Sequence, residues 1–251
     1  MKKIKFILEN GIILIPGKVN DVLGYFIFDT GSMKTAINKA YFKLDGEEIN
    51  VCKFVDSVVE DGASISKIQN ILIDDLSFED IDVLNIDLKY AEDVLRFFIS
   101  DLVLLGTMGI ELISSYNILI DYENQEMILN PIYVEEEYSK IDFNYDGIIT
   151  INVTINNHDF IFMLDSGSNA CLINQEIQEL ISDVLVHEEN NIYTITSLEI
   201  GEHSFEDLIS VICDIGTLKE KKEIDGVIGY EILKDNNIIL DFQNKKLLIK
   251  K

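Results

Sequence analysis

The sequence predicts a mainly β protein of two similar lobes related by a pseudo-two-fold axis, with short helices. Three observations predict it: an internal repeat that spans nearly all 251 residues, a texture of short strands, and one acidic turn motif at the same place in each repeat.

Residues 10–38 align without gaps onto 146–174 at an offset of 136 (165 − 29). The identities are Gly11, Ile12, Ile13, Ile15, Asn20, Phe26, Asp29, Gly31, Ser32, Ile37 and Asn38 with their mates. A second block, 106–130, aligns onto 226–250 at an offset of 120 (241 − 121). It matches Gly106/Gly226, Gly109/Gly229, Glu111/Glu231, Asn117/Asn237, Ile118/Ile238, Asp121/Asp241 and Asn124/Asn244. Between these blocks, Ser77-Phe78-Glu79-Asp80 meets Ser204-Phe205-Glu206-Asp207. Three blocks in one order mark a tandem duplication. The lobes are therefore placed at 1–134 and 145–251, with the acidic stretch around Pro131 and Glu135-Glu136-Glu137 between them.

Short runs such as GIILI, YFIFD, GIITINVTI, FIFML and NIILDF are rich in Ile, Phe and Val and are separated by Asn, Asp and Gly turns. That pattern suits antiparallel strands. A hairpin is predicted across Asn156-Asn157, with its counterpart around Asn20-Asp21. The fall in offset, 136 − 120, leaves 16 extra residues in the first half. They fall around Leu88–Leu105, where KYAEDVLRFFISDL has helical periodicity and predicts a helix peculiar to that lobe. The basic end, NKKLLIKK, is assigned to a sheet at the lobe interface, and Asp74-Asp75, Asp121 and Asp241 to turns or strand ends.

Each repeat ends an apolar strand on an acid followed by a small hydroxyl residue, Gly and Ser: Phe28-Asp29-Thr30-Gly31-Ser32 and Leu164-Asp165-Ser166-Gly167-Ser168. Gly permits a tight turn and close backbone approach. The hydroxyls of Thr30 and Ser166 can bond across the lobe interface, and Ser32 and Ser168 can support a carboxylate. A carboxylate on an apolar strand end costs free energy unless it is paired or hydrogen-bonded. Two of them at a pseudo-two-fold axis would share one proton, because like charges at contact cannot both ionise. The ionised member can then deprotonate a water for attack on an amide carbonyl, and the protonated member can donate to that oxygen.

The chain resembles the retropepsin and pepsin group of aspartic peptidases, in a small bacterial-type, two-lobed single-chain form. The pattern is an apolar residue, Asp, Thr or Ser, Gly and Ser, followed later in each lobe by two apolar residues and Gly. Val227-Ile228-Gly229 fits that second element, and Thr107-Met108-Gly109 departs from it at the polar Thr107. The resemblance implies β-barrel lobes, Asp29 and Asp165 as the catalytic pair, and Thr30 and Ser166 in interlobe hydrogen bonds. It also implies that Gly31 and Gly167 shape the active-site loops and that a hairpin flap covers the substrate. The flap is assigned to KFVDSVVEDGASISKIQ, turning at Asp61-Gly62, with a counterpart around Glu189-Asn190-Asn191. One chain supplies both aspartates, so a monomer is expected. The first motif starts 28 residues into the chain, from which no propeptide control is expected.

Composition narrows the partners. A formal charge of −25, from 45 acidic and 20 basic residues, repels nucleic acid and anionic membrane and favours a peptide or protein substrate that is neutral or cationic. Three Cys and three His are scattered, which reads as neither a disulfide framework nor a metal site. No cofactor and no metal is expected. The N-terminal apolar run is broken by Glu9 and Asn10, so the chain is expected in the cytoplasm. Two rival readings stand beside the peptidase. One is a catalytically silent peptide-binding module of the same fold. The other is an actin or sugar-kinase type of ATP-binding protein, which is also duplicated but needs several long helices in each half.

Overall fold

A computed structural model of the chain describes residues 2–49, 63–216, 223–234 and 237–251. It is mainly β. The first lobe is an eight-stranded sheet in the order Ile7–Glu9, Ile12–Val19, Val22–Phe28, Leu104–Met108, Ala36–Asn38, Leu76–Ile86, Ala63–Ile73 and Gly46–Ile49. The second repeats that order: Asn144–Tyr145, Ile149–Ile155, His158–Leu164, Gly226–Ile228, Cys171–Asn174, Leu208–Cys213, Ile192–Ile195 and Leu185–Glu189. Strand directions match as well. Phe26–Phe28 runs parallel to Gly106–Met108 as Phe162–Leu164 runs parallel to Gly226–Ile228. Each sheet curls back on itself, through Lys18-Val19 beside Ile71-Leu72 in one lobe and Thr154 opposite Glu199 in the other.

Local sequence explains the turns. Asn156 and Asn157 (φ 50° and 60°) link their strands by a two-residue loop with both residues left-handed, a conformation in which Asn is favoured. Asn20 (φ 51°) starts the matching turn in the first lobe, and Asp80 and Asp207 (φ 52° and 53°) are left-handed at matched positions.

A third, six-stranded sheet joins the lobes in the order Lys2–Lys5, Glu126–Leu129, Ile118–Asp121, Ile238–Asp241, Lys246–Lys250 and Tyr138–Asp142. Leu119 faces its own repeat mate Ile239 at the centre, so the pseudo-two-fold axis passes between these strands. Tyr138–Asp142, which lies before residue 145, is the counterpart of Lys2–Lys5 at an offset of 137 (141 − 4), since Ile4 pairs with Met127 as Ile141 pairs with Leu247, the repeat mate of Met127. The NKKLLIKK strand lies in this sheet, and one apolar cluster runs through both lobes, with the mates Phe26 and Phe162 each 0% exposed.

The extra segment of the first half forms the helix Lys89–Arg96 and then leaves it in turns, so the helix is shorter than the periodic run. Leu95 packs on Leu14, Leu102 and Leu104, while the buried Glu92 takes hydrogen bonds from Tyr41 Oη, Arg96 and the Leu104 N–H. Among the described residues no helix is long and apolar enough to cross a membrane.

Asp121 and Asp241 are turn acids, each accepting from the N–H and Nδ2 of the Asn three residues on. They differ in depth: Asp241 is 1% exposed and also accepts from Tyr133 Oη at 3.0 Å. Burial pushes the Asp241 carboxyl upward, but the bonds from Asn244 and Tyr133 outweigh it and hold the group below its usual value. Asp241→Ala is therefore expected to cost about 2–3 kcal/mol in urea unfolding, because buried donors lose their acceptor. Asp121→Ala should cost under about 1.5 kcal/mol, since its donors reach water.

Candidate active site

The strands Val22–Phe28 and His158–Leu164 each run into an aspartate and break into a turn there. Asp29 N–H donates to Met108 O at 3.1 Å, and Asp165 N–H donates to Ile228 O at 2.9 Å, so each acid is pinned to the neighbouring parallel strand. The two side chains meet at the lobe interface and hydrogen-bond to each other.

Main-chain donors hold the carboxylates. Asp29 Oδ1 accepts from Gly31 N–H at 3.0 Å and Ser32 N–H at 2.9 Å, and Asp165 Oδ1 accepts from Gly167 N–H at 2.8 Å. Each glycine lies under the other lobe's acid. A Cβ on Gly31 would sit 2.4 Å from Asp165 Cγ, and one on Gly167 2.8 Å from Asp29 Cγ.

Thr30 and Ser166, both nearly fully buried, clasp across the interface. Thr30 Oγ1 donates to Leu164 O at 2.9 Å and accepts from Ser166 N–H at 2.9 Å. Ser166 Oγ donates to Phe28 O at 2.8 Å and accepts from Thr30 N–H at 3.1 Å. Thr30→Val keeps the shape and removes both bonds of the Thr hydroxyl, stranding a buried carbonyl and a buried N–H. We expect a loss of about 2–4 kcal/mol in chemical denaturation. The cost should be less than additive with Ser166→Ala, since the two hydroxyls serve one network.

Burial drives both acid pKa values up. Asp29 lies well above the ordinary carboxylate value, raised by burial first and then by the charge and hydrogen bond of Asp165, against the opposing N–H groups of Ser32 and Gly31. Burial also raises Asp165, less far, because N–H donors and the Asp29 side chain favour its charged form. Because the two groups interact directly, their titration belongs to the pair and not to either acid alone. As whole residues, Asp29 and Asp165 are each half-buried and not sealed in the core.

The structure brings Asp29, Asp165, Thr30, Ser166, Gly31, Gly167, Ser32 and Ser168 together. Ser32 and Ser168 do not support the acids through their hydroxyls. Ser32 Oγ donates to Lys34 O at 2.9 Å and Ser168 Oγ to Ala170 O at 2.8 Å, while their backbone N–H groups reach the carboxylates. The flap candidates Asp61 and Gly62 lie outside the described residues; the paired strands Gly46–Ile49 and Ala63–Ile73 flank them. In the second lobe, Leu185–Glu189 and Ile192–Ile195 form a hairpin around Asn190 (φ 50°).

Sequence reasoning missed the matched residues Thr35 and Cys171, offset by 136 (171 − 35). Thr35 Oγ1 accepts from Gly109 N–H at 3.0 Å. The Cys171 sulfur takes the equivalent place against Gly229 N–H, and burial pushes its thiol up to about 11. Alignment of the repeats carried this signal, but Thr opposite Cys is not an identity.

These features give the chain the fold of the pepsin-like aspartic proteinases. A crystal structure of an aspartic proteinase from Irpex lacteus matches it over 100% of this chain and 97% of that one, with a TM-score of 0.63 and 11% sequence identity. No family model and no curated protein sequence matches the chain.

Proposed function

We propose that the chain is an aspartic endopeptidase in which Asp29 and Asp165 share one proton and activate a water for attack on a peptide carbonyl. The observation that carries this is the hydrogen-bonded pair of raised carboxyls at the pseudo-two-fold axis. The ionised member takes a proton from water as the water adds to the carbonyl carbon. The protonated member donates to the carbonyl oxygen; the member that took the water's proton then gives it to the amide nitrogen as the C–N bond breaks, and the first member recovers its proton from the gem-diol hydroxyl. The buried clasp of Thr30 and Ser166 supports the pair's geometry, and preorganised geometry of this kind is worth orders of magnitude in rate.

On this reading the chain acts as a monomer on a peptide or protein substrate, with no cofactor, and works in the cytoplasm. The ATP-binding rival needs long helices in each half, and the longest helix among the described residues is Lys89–Arg96. Cleavage of a diverse peptide library tests the proposal. The expected result is cleavage with a bell-shaped pH–rate profile, which a shared-proton pair produces. Binding of peptides without any cleavage by the wild-type chain would replace the proposal with the silent module.

A further inference from the structure

We infer that Glu111 is a positioning residue for the Asp29 carboxylate, acting through the amide of Thr35; the inference rests on the peptidase reading above. The loop 29–35 is tied to the strand–helix junction at 108–111 by four hydrogen bonds. Asp29 N–H donates to Met108 O at 3.1 Å and Ile110 N–H to Ser32 O at 2.8 Å. Gly109 N–H donates to Thr35 Oγ1 at 3.0 Å, and Thr35 N–H donates to Glu111 Oε1 at 2.5 Å.

The second lobe repeats three of these ties: Asp165 N–H to Ile228 O at 2.9 Å, Tyr230 N–H to Ser168 O at 3.0 Å, and Gly229 N–H to the Cys171 sulfur. It differs at the fourth position. There Glu231, the repeat mate of Glu111, takes Lys234 Nζ at 2.7 Å and forms an ion pair at a partly exposed site. One residue type at one repeat position thus has two uses at partly buried sites, a side-chain ion pair in one lobe and a main-chain anchor in the other.

The space around Glu111 is built for that anchor. A Cβ on Gly109 would lie 2.5 Å from Glu111 Oε2 and 2.5 Å from Thr35 N, so only Gly leaves room for the carboxylate under the loop. Oε2 is buried and takes no hydrogen bond, a costly state for a carboxylate oxygen. The side chain is held there through its other oxygen. Thr35 lies at the far end of the turn whose near end, Gly31 and Ser32, supplies the two N–H groups on Asp29 Oδ1. Releasing Thr35 loosens that turn and weakens the donors that favour ionised Asp29. The Asp29 carboxyl should then titrate higher still.

The test uses the full chain with Glu111→Ala, Glu111→Gln and Glu231→Ala, read by carbon NMR titration of the aspartates, amide exchange of Thr35 and steady-state kinetics. In folded Glu111→Ala, Thr35 should exchange at least about 10-fold faster. The Asp29 titration should move up, and kcat should fall about 10-fold with KM within about twofold of wild type. Glu111→Gln keeps an acceptor and should restore Thr35 protection and the titration. Glu231→Ala should match wild type in all three. If Glu111→Ala does not fold, Glu111→Asp withdraws the acceptor by one methylene and carries the same expectations. Unchanged Thr35 exchange and Asp29 titration in the folded variant overturn the inference, as does an equal effect of Glu231→Ala. A wild-type chain that cleaves no peptide sinks the peptidase reading alone, because exchange and titration still decide the role of Glu111.

Discussion

Asp29→Asn is expected to lower kcat on peptide substrates by at least about 10³-fold, because the amide can neither hold the shared proton nor give it up. The substitution is nearly isosteric, so the lobes should still close and peptide should still bind. A second effect has the opposite sign. The folded-state pKa of Asp29 is raised above its ordinary value of 3.8, so the native state binds that proton more tightly than the unfolded chain does. Stability then falls as pH climbs from the ordinary aspartate range through the raised value. Asn does not ionise, so the variant should melt higher than wild type near neutral pH, and the two should converge below the ordinary aspartate value. Thermal unfolding across pH checks this. A variant that is inactive but no more stable at neutral pH would show that Asp29 is not strained by its surroundings.

Gly31→Ala should be nearly as damaging for a different reason. Its Cβ would lie 2.4 Å from Asp165 Cγ and 2.6 and 2.7 Å from the two carboxylate oxygens, where carbon contacts normally begin near 3.5 Å. Either the loop or the acid must move by roughly 1 Å, and a misplacement of that size costs about 10²-fold or more in rate. Overpacking adds a stability loss of about 1–3 kcal/mol. Gly167→Ala approaches Asp29 Cγ at 2.8 Å and should cost less in both measures. Kinetics and urea unfolding of the two variants test the ranking. Equal effects would mean that the two lobes yield alike.

Much of this is legible in the sequence. The repeat at offset 136 placed Asp29 with Asp165 and Thr30 with Ser166, and each of those pairs meets at the axis. The Asn156-Asn157 turn and the helix of the first lobe were also readable, because each depends on residues close in the chain. Tyr138–Asp142 escaped the comparison of repeats. Its likeness to Lys2–Lys5 is one residue out of step with the block at 136: Lys3, Ile4 and Phe6 meet Lys140, Ile141 and Phe143 at an offset of 137, which a gapless alignment passes over. Thr35 and Cys171 escaped because they are not identical: an oxygen and a sulfur accept the same N–H at matched positions.

That two like halves carry one acid each, with a hydroxyl residue and a Gly beside it, can be read from the linear chain. Those facts rest on short-range chemistry and on repetition, which a linear chain displays directly. Folding brings Asp29 against Asp165 and sets each lobe's Gly where it makes room for the other's acid. It also turns the Ser32 and Ser168 hydroxyls to the backbone and gives Glu111 and Glu231 different partners. These outcomes depend on contacts between groups far apart in the chain, 76 residues for Thr35 and Glu111 and 136 for Thr30 and Ser166, or on which of several nearby acceptors a side chain reaches. Burial and packing settle such choices, and no local pattern in the chain encodes them.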